Sequence, residues 1–396
     1  METFKTIDEC FYLIQNGANI KQGQINGGYP ITRIETISND KFNRDKVGYA
    51  GIFELGKYAS YVLEDGDLLM SHINSPQYLG RTVLYKKKDS EIIIHGMNLL
   101  RLKANVEIIN PAFARYLFYS VPFRRQIAKI TKKSVNQASF SINDLKKISI
   151  VIPSLSVQEK IVKKLNSAIS VKNYYERQIE LLDELVKARF VEMFGDPVTN
   201  DMLWNTDVLK DICTKIGSGS TPRGGKESYI DEGISLIRSM NVHNANFEYK
   251  DLAHITLDQA EKLNNVVVEH DDLLFNITGA SVARCCVVPS DVLPARVNQH
   301  VCILRCIEKI NPIFLQELLV NENYQDKLLQ IAKSGATREA INKQQLESLE
   351  IMIPPLELQN QFASFVQEID KSRSRIQKSL EASQELFDSL MQEYFG

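Results

Sequence analysis

The segments Asn276–Arg284 (NITGASVAR) and Arg296–His300 (RVNQH) crowd amide, hydroxyl, imidazole and guanidinium groups into short stretches of chain. Such groups donate and accept hydrogen bonds, and the chemistry they offer is the reading of base edges. Arg holds guanine bidentately, Asn or Gln holds adenine, and Ser or Thr contacts either. The same mixture recurs in the first half, in Ser71–Arg81 (SHINSPQYLGR) and His95–Asn98 (HGMN). The candidate DNA contacts are therefore Thr278, Ser281, Arg284, Arg296, Asn298, Gln299 and His300, with His72, Asn74, Ser75, Arg81, Asn98 and Arg101. A further stretch, Gly217–Ser228 (GSGSTPRGGKES), adds Ser218, Ser220, Thr221, Arg223 and Lys226. It mimics a phosphate loop, but Glu227 follows Lys226 where Ser or Thr is required. A flexible surface loop is expected instead, with amides, hydroxyls and two cations suited to phosphate or base contacts. Taken alone, each residue reads first as a structural hydrogen-bonding group. It is the recurrence of the set in both halves that points to base reading.

No catalytic constellation accompanies them. Asn110–Phe113 (NPAF) and Asn311–Phe314 (NPIF) look like the Asn-Pro-x-aromatic site of an amino-methyltransferase, which holds a flipped base. Neither has Asn-Pro-Pro, and no glycine-rich cofactor loop lies upstream. Asn as helix N-cap and Pro at the first helical position account for both. Asp65 and Asp67, like Asp271 and Asp272, precede paired leucines and read as turn residues entering strands. The six histidines and six cysteines show no metal-ligand spacing. The cysteines read as reduced, buried thiols, and no cofactor or metal is expected.

The elements that must position these loops are written twice. Ile152–Gly195 and Ile353–Gly396 align without a gap at a shift of 201, with ten of 44 positions identical, including the shared IP-x-L-x-x-Q start. Apolar residues recur at spacings of four and three: Ile161, Leu165, Ala168, Tyr175, Ile179, Leu182, Val186 and Met193, then Phe362, Val366, Ile369, Ile376, Leu380, Phe387, Leu390 and Tyr394. That is a heptad seam. Ser156 and Glu159 form an expected capping box, and Gly195 an expected C-terminal cap. A helix of ~38 residues is about 57 Å long, and each copy supplies the other with a partner. Lys172 and Arg373 interrupt both seams at one register; such a basic residue either sets the pairing geometry at some cost in stability, or reaches a glutamate on the neighbouring helix or solvent. The repeat extends upstream, where EDGDLLM matches EHDDLLF and INPAFARYLF matches INPIFLQELL, and Ser134 and Ser334 open similar loops. Strands are expected in EIIIHGM, ISIVIP, NNVVVEH and CCVVP. The division expected is 1–152, a mixed globular domain; 153–196, a long helix; 197–353, a second such domain; and 354–396, a second helix.

Composition bounds the rest. The 396 residues are 44% apolar, ample for real cores, and contain no apolar run long enough to cross a membrane. The start METFKTIDECFYLIQNG lacks a signal peptide's basic and apolar blocks, so a cytoplasmic protein is expected. Residues 1–152 carry 21 Lys and Arg against 14 Asp and Glu, whereas 197–353 carry 15 against 21. Nucleic-acid binding would run through local patches or be shared with partners, since a non-specific coat would be basic throughout.

With the two IP-x-L-x-x-Q starts, the long helices, GSGSTPRGGKESYIDEGISLIRSMNV, GDLL, DDLL and VNQHV in place, the chain resembles the specificity (S) subunits of type I restriction–modification systems. The resemblance implies an α+β fold of two similar mixed α/β target recognition domains, each followed by a long helix. The helices would pair as an antiparallel coiled coil with pseudo-two-fold symmetry. It also implies a non-catalytic DNA-reading subunit, each domain taking one half of a bipartite target in the major groove. The helices would fix the spacing and dock two methyltransferase (M) subunits, and a motor–nuclease (R) subunit joins in some systems. The first half departs from the family pattern, since Ile20–Ile37 lacks Thr-Pro. Two other readings stay open on the residues: a coiled-coil adaptor that never touches DNA, and a fused methyltransferase or nuclease.

Overall fold

A computed structural model of the chain describes residues 3–396 except 24, 26, 39, 134–136, 223 and 334–338, with Lys226 described in its backbone only. Ser134, Ser334 and Arg223 thus lie outside the described residues. The chain divides into two compact units, Met1–Glu176 with Lys378–Gly396, and Arg177–Gln377. Among the described residues no helix is long and apolar enough to cross a membrane.

Each unit is built on a four-stranded antiparallel sheet of one order. In the first unit the order is Phe11–Asn16, Leu99–Ala104, Leu68–Ser71, Thr82–Leu84. In the second it is Cys213–Ser218, Val301–Cys306, Leu273–Asn276, Cys285–Val287. Leu68 faces Leu102 and Leu84, and in the second copy Leu273 faces Leu304 and Val287. The turns before these central strands are tied by buried carboxylates. Asp67 accepts the Glu64 amide and Asp272 the Glu269 amide, each at 2.7 Å, as turn residues should.

The copies differ in their second layer. The second unit adds a sheet of Ala253–Ile255, Ile234–Ile237, Ala295–Val297 and Val267–Val268, with one parallel pair. In the first unit that layer shrinks to isolated bridges, Ile31 to Ile94 parallel and Val62 to Ile94 antiparallel. EIIIHGM, expected as a strand, holds only isolated bridges, at Ile94 and at Gly96. Its neighbour is the run Gly27-Gly28-Tyr29-Pro30, where Gly27 and Gly28 take φ of 98° and 83°, outside strand geometry.

Helices Pro111–Tyr119 and Pro312–Val320 begin as the NPAF and NPIF motifs require. Asn110 Oδ1 accepts the amides of Ala112 and Phe113, and Asn311 Oδ1 those of Ile313 and Phe314.

The long helices run Leu155–Phe194 and Leu356–Phe395, 40 residues each. The first starts one residue before Ser156, and no hydrogen bond joins Ser156 to Glu159, so the expected capping box is not formed. The amides of Val157 and Gln158 bond to Ser154 O instead. Gly195, at φ 76°, ends that helix, and a Cβ there would meet Asp201 Oδ1 at 2.1 Å.

Within each unit the helix segments run antiparallel. In the first, Lys164 donates to Tyr394 Oη at 2.9 Å, while Val171 shares a crevice with Ser383 and Leu386. In the second, Asp183 pairs with Arg373, and Phe190 lies edge-on to Phe362 at 5.6 Å. Arg373 thus meets an aspartate of the neighbouring helix, whereas Lys172 reaches Glu176 of its own helix at 3.7 Å. Ile161, Leu165, Phe362 and Val366 are buried, and Tyr175, Ile179, Leu182, Ile369, Ile376, Leu380 and Phe387 are half-buried. Each helix ends in an aromatic plug. Phe194 meets Phe314 at 4.9 Å in the second unit, and Phe395 meets Phe113 at 5.2 Å in the first. Phe113 and Phe314 stand at a shift of 201, as do Phe194 and Phe395.

The glutamine of the repeated motif explains its duplication. Gln158 is fully buried; its Oε1 accepts the Asn110 amide, and its Nε2 donates to Ile108 O and Pro153 O. Gln359 does the same with the Asn311 amide, Lys309 O and Pro354 O. One side chain staples the helix start to the cap of the short helix. Replacing either Gln by Leu orphans three backbone groups and is expected to destabilise its unit by about 2 kcal/mol. Thermal unfolding of the two variants checks this, and an unchanged midpoint would contradict the staple.

Candidate nucleic-acid interface

The second unit gathers most of its candidates at one place. The strand Leu273–Asn276 delivers Thr278 to a tight turn, Gly279–Ser281, and the strand Val301–Cys306 is preceded by Asn298, Gln299 and His300. Thr278 Oγ1 lies 2.6 Å from His300 Nδ1, and Gln299 Nε2 lies 3.2 Å from His300 Nε2. Thr221 Oγ1 donates to Gln299 Oε1. The chain of bonds is consistent in one direction. The amide nitrogen of Gln299 can only donate, so His300 accepts at Nε2 and donates from Nδ1, which frees the Thr278 proton. Asn298 Oδ1 fixes the loop by accepting the His300 amide at 3.0 Å.

An open groove of about 410 Å³ receives this hydroxyl, with Ser239, Met240, Ser281, Arg284 and His300 on its walls. Arg284 Nη1 sits 3.4 Å from His243 Nδ1 and presents its remaining donors. Ser218 ends its strand opposite Cys302, and Ser220 is exposed. Between them Gly219 is required by close packing rather than flexibility, because a Cβ there would come 1.8 Å from Val297 O. Arg223 and the Lys226 side chain lie outside the described residues.

Arg296 does not join the groove. Its guanidinium donates to Ala260 O, Ala295 O and Asn264 Oδ1, and so holds a loop of its own unit.

In the first unit the candidates divide more sharply. Asn74 and Ser75 form a tight turn, the Ser75 amide bonding to Asn74 Oδ1 at 2.8 Å. The Asn74 strand pairs with Ala138–Ser139, which pairs with Lys132–Lys133, both lysines exposed. Arg81 stacks its guanidinium 4.8 Å over the Tyr78 ring, with Nε 3.5 Å from Asp40. Arg124 lies 4.7 Å over Tyr119, whose hydroxyl donates to Asp40 Oδ2, and Arg115 donates to Asp40 O. Tyr78, Arg115, Tyr119 and Arg124 escaped the sequence reading; the visible signal was the positive balance of residues 1–152.

Two first-unit candidates, His72 and Arg101, belong to the core instead, and a third, Asn98, is half-buried in a turn. His72 is 8% exposed and packs edge-on to Phe140, and burial pulls its imidazole down to about 4, so it stays neutral. Asn98 takes φ 72° in the turn where His95, fully buried, contacts Leu99 O at 3.0 Å. Arg101 is 1% exposed, its Nε 2.7 Å from Asp67 and its Nη1 bonded to Ser60 O. Burial outweighs the Arg101 charge and lifts the Asp67 carboxyl above its ordinary value.

The two units thus place Arg81 and Arg284 at corresponding points, beside a polar turn after the central strand. The chemistry available is directional hydrogen bonding and cationic contact. Among the described residues no cluster of His, Cys, Asp and Glu could hold a metal.

Comparison with known proteins gives consistent relatives. The family model described as the type I restriction modification DNA specificity domain matches twice, at residues 2–182 and 202–384. A putative type I restriction enzyme MjaX specificity subunit of Methanocaldococcus jannaschii is 28% identical over 404 residues, covering 95% of this chain and 90% of that protein. The type I restriction enzyme EcoKI specificity subunit of Escherichia coli K12 is 23% identical over 227 residues, covering 54% of this chain and 48% of that protein. Among solved structures, the type I restriction–modification S subunit from M. genitalium superposes with a TM-score of 0.62 at 15% identity, over 100% of this chain and 96% of that one. A chain from a type I restriction–modification system described for its complex assembly and conformational transition gives 0.56 at 18% identity, over 100% and 97%.

Proposed function

This chain belongs to the type I restriction modification DNA specificity family, whose role is DNA sequence recognition, and from that premise we propose how its residues divide that work. Each globular part, 1–152 and 197–353, reads one half of a bipartite target in the major groove of double-stranded DNA. Thr278, Ser281, Arg284, Gln299 and His300 contact the second half-site, with Ser218, Ser220 and Thr221 beside them. Asn74, Ser75 and Arg81 contact the first, with Tyr78 and Arg124 steadying the backbone.

The helices 153–196 and 354–396 set the gap between half-sites and dock two methyltransferase subunits, which bring the catalytic machinery. Motor–nuclease subunits join that assembly in the cytoplasm, and this chain itself performs no chemistry. The single observation that carries the reading is the repetition of an arginine beside a polar turn, Arg81 and Arg284, at corresponding strand ends of two like units.

Selection of random DNA by the complex with its methyltransferase is the test. Two short specified blocks with a constant gap are expected. Arg284→Ala should relax one block only and Arg81→Ala the other, each by about 10- to 100-fold at the contacted base. A continuous block, or variants that relax both blocks alike, would overturn the assignment. DNA affinity untouched by the double variant would favour the adaptor reading.

A further inference from the structure

The second unit carries a cavity of about 670 Å³ beside the later turns of the first long helix. Its lining includes apolar Val186, Phe190 and Val320 and acidic Asp183, Glu317 and Asp370. Two cations in the lining are already engaged. Arg373 pairs with Asp183 and Asp370, and Lys187 pairs with Glu322 at 2.6 Å.

Glu317 is left over. It stands on the helix Pro312–Val320, lines the cavity and is only 9% exposed. Its Oε1 accepts one hydrogen bond, from Gln316 Nε2 at 2.8 Å. Among the described residues, no donor reaches its Oε2 and no Lys or Arg pairs with it. Burial, reinforced by Asp370 and Asp183 against the pull of Gln316 and Arg373, pushes its carboxyl up to about 7. A buried carboxylate without a counter-charge is unfavourable, and an entering cation would relieve it. A metal ion does not fit, because the acids do not converge as ligands.

The duplication supplies a control within the same chain. The corresponding crevice of the first unit is lined by Tyr119, Val121, Phe387, Asp388 and Met391, at a shift of 201 from Val320, Glu322, Val186, Lys187 and Phe190. At the position 201 residues before Glu317 the first unit has Tyr116, a residue outside that lining whose hydroxyl is satisfied by Asn166 Oδ1 at 2.6 Å. The unpaired acid is therefore a feature of the second unit and not of the shared scaffold.

We propose that this cavity binds an alkylammonium or alkylguanidinium group, its stem on Val186, Phe190 and Val320 and its charged head on Glu317 and Asp370. A free polyamine and a Lys or Arg side chain of a protein partner carry the same chemistry. Calorimetric titration of the full chain separates them, with spermidine in one arm and a blocked Gly-Arg-Gly tripeptide in the other.

Saturable one-to-one binding of at least one probe is expected at pH 8. Glu317→Gln should weaken it at least tenfold, and Asp388→Asn in the first crevice should leave it unchanged. Binding should also weaken about tenfold from pH 8 to pH 6, as Glu317 takes up its proton. Binding by spermidine alone assigns a free polyamine, and binding by the peptide alone assigns a partner side chain. Should Glu317→Gln fail to fold, Asp370→Asn takes its place. No saturable binding of either probe, or binding that survives both substitutions, overturns the proposal.

Discussion

Arg101→Ala is expected to lower the stability of the first unit by about 3–5 kcal/mol while leaving DNA contacts in place. The reason is the environment of its partner. Asp67 is 3% exposed, its carboxyl accepts the Glu64 amide, and Arg101 is the cation against it. Removing the guanidinium leaves a buried charge that water cannot reach, and vacates the volume of one of the largest fully buried side chains in the chain. The Glu64 carboxylate, 67% exposed, keeps Lys103 and offers no substitute. Replacing both partners, Arg101→Met with Asp67→Asn, should recover most of the loss, because the cost lies in the unpaired charge rather than in a favourable ion pair. Hydrogen exchange at Leu100 and Leu102 reads the first unit, and exchange at Ile303 and Leu304 reads the second as an internal reference. Protection should fall in the first pair alone. Unchanged protection with lost DNA affinity would return Arg101 to the interface.

That residue also shows where sequence reading stops. Arg101 and Arg284 are both arginines among polar neighbours near a strand, and nothing in their spacing separates them. Strand alternation puts Arg101 on the face opposite Leu100 and Leu102, which a solvated sheet would expose. A second layer around Leu63, Leu69, Val83 and Tyr85 covers that face, so the charge is buried. Layering is a tertiary fact that local pattern does not carry. The same holds for His72, lost to the core, and for Arg296, engaged by a loop more than thirty residues earlier in the chain. The duplication, by contrast, was legible because repetition needs no tertiary knowledge. The asparagine caps followed from chemistry local to four residues. Gln158 was visible as a repeated letter, but its three backbone partners lie up to 50 positions away. The cluster of Thr278, Gln299 and His300 was legible as a set, and its hydrogen-bond direction was not.

The helices invite the most consequential change. Each 40-residue helix gives its first and last turns to different units, Leu155–Glu176 and Arg177–Phe194 in one, Leu356–Gln377 and Lys378–Phe395 in the other. Adding one heptad to both, near Glu176 and near Gln377, keeps the seam in phase, since Ile179, Leu182, Ile376 and Leu380 retain their repeat. Seven residues lengthen a helix by about 10.5 Å, close to the rise of 3 base pairs. The lengthened protein, with its methyltransferase, should therefore select the same two half-sites with about 3 more unread base pairs between them. Its preference for the original target should fall by about a thousandfold or more, because only one half-site can then be engaged at a time. An insertion in one helix alone makes it seven residues longer than its partner between the Lys164–Tyr394 and Asp183–Arg373 pairings, so both cannot stay in register, and it should destabilise the protein instead of retuning it. Mapping methylated positions in DNA exposed to each variant gives both half-sites and the gap directly. If the doubled insertion leaves the gap unchanged, the helices do not measure it, and the distance must be held by contacts elsewhere in the assembly.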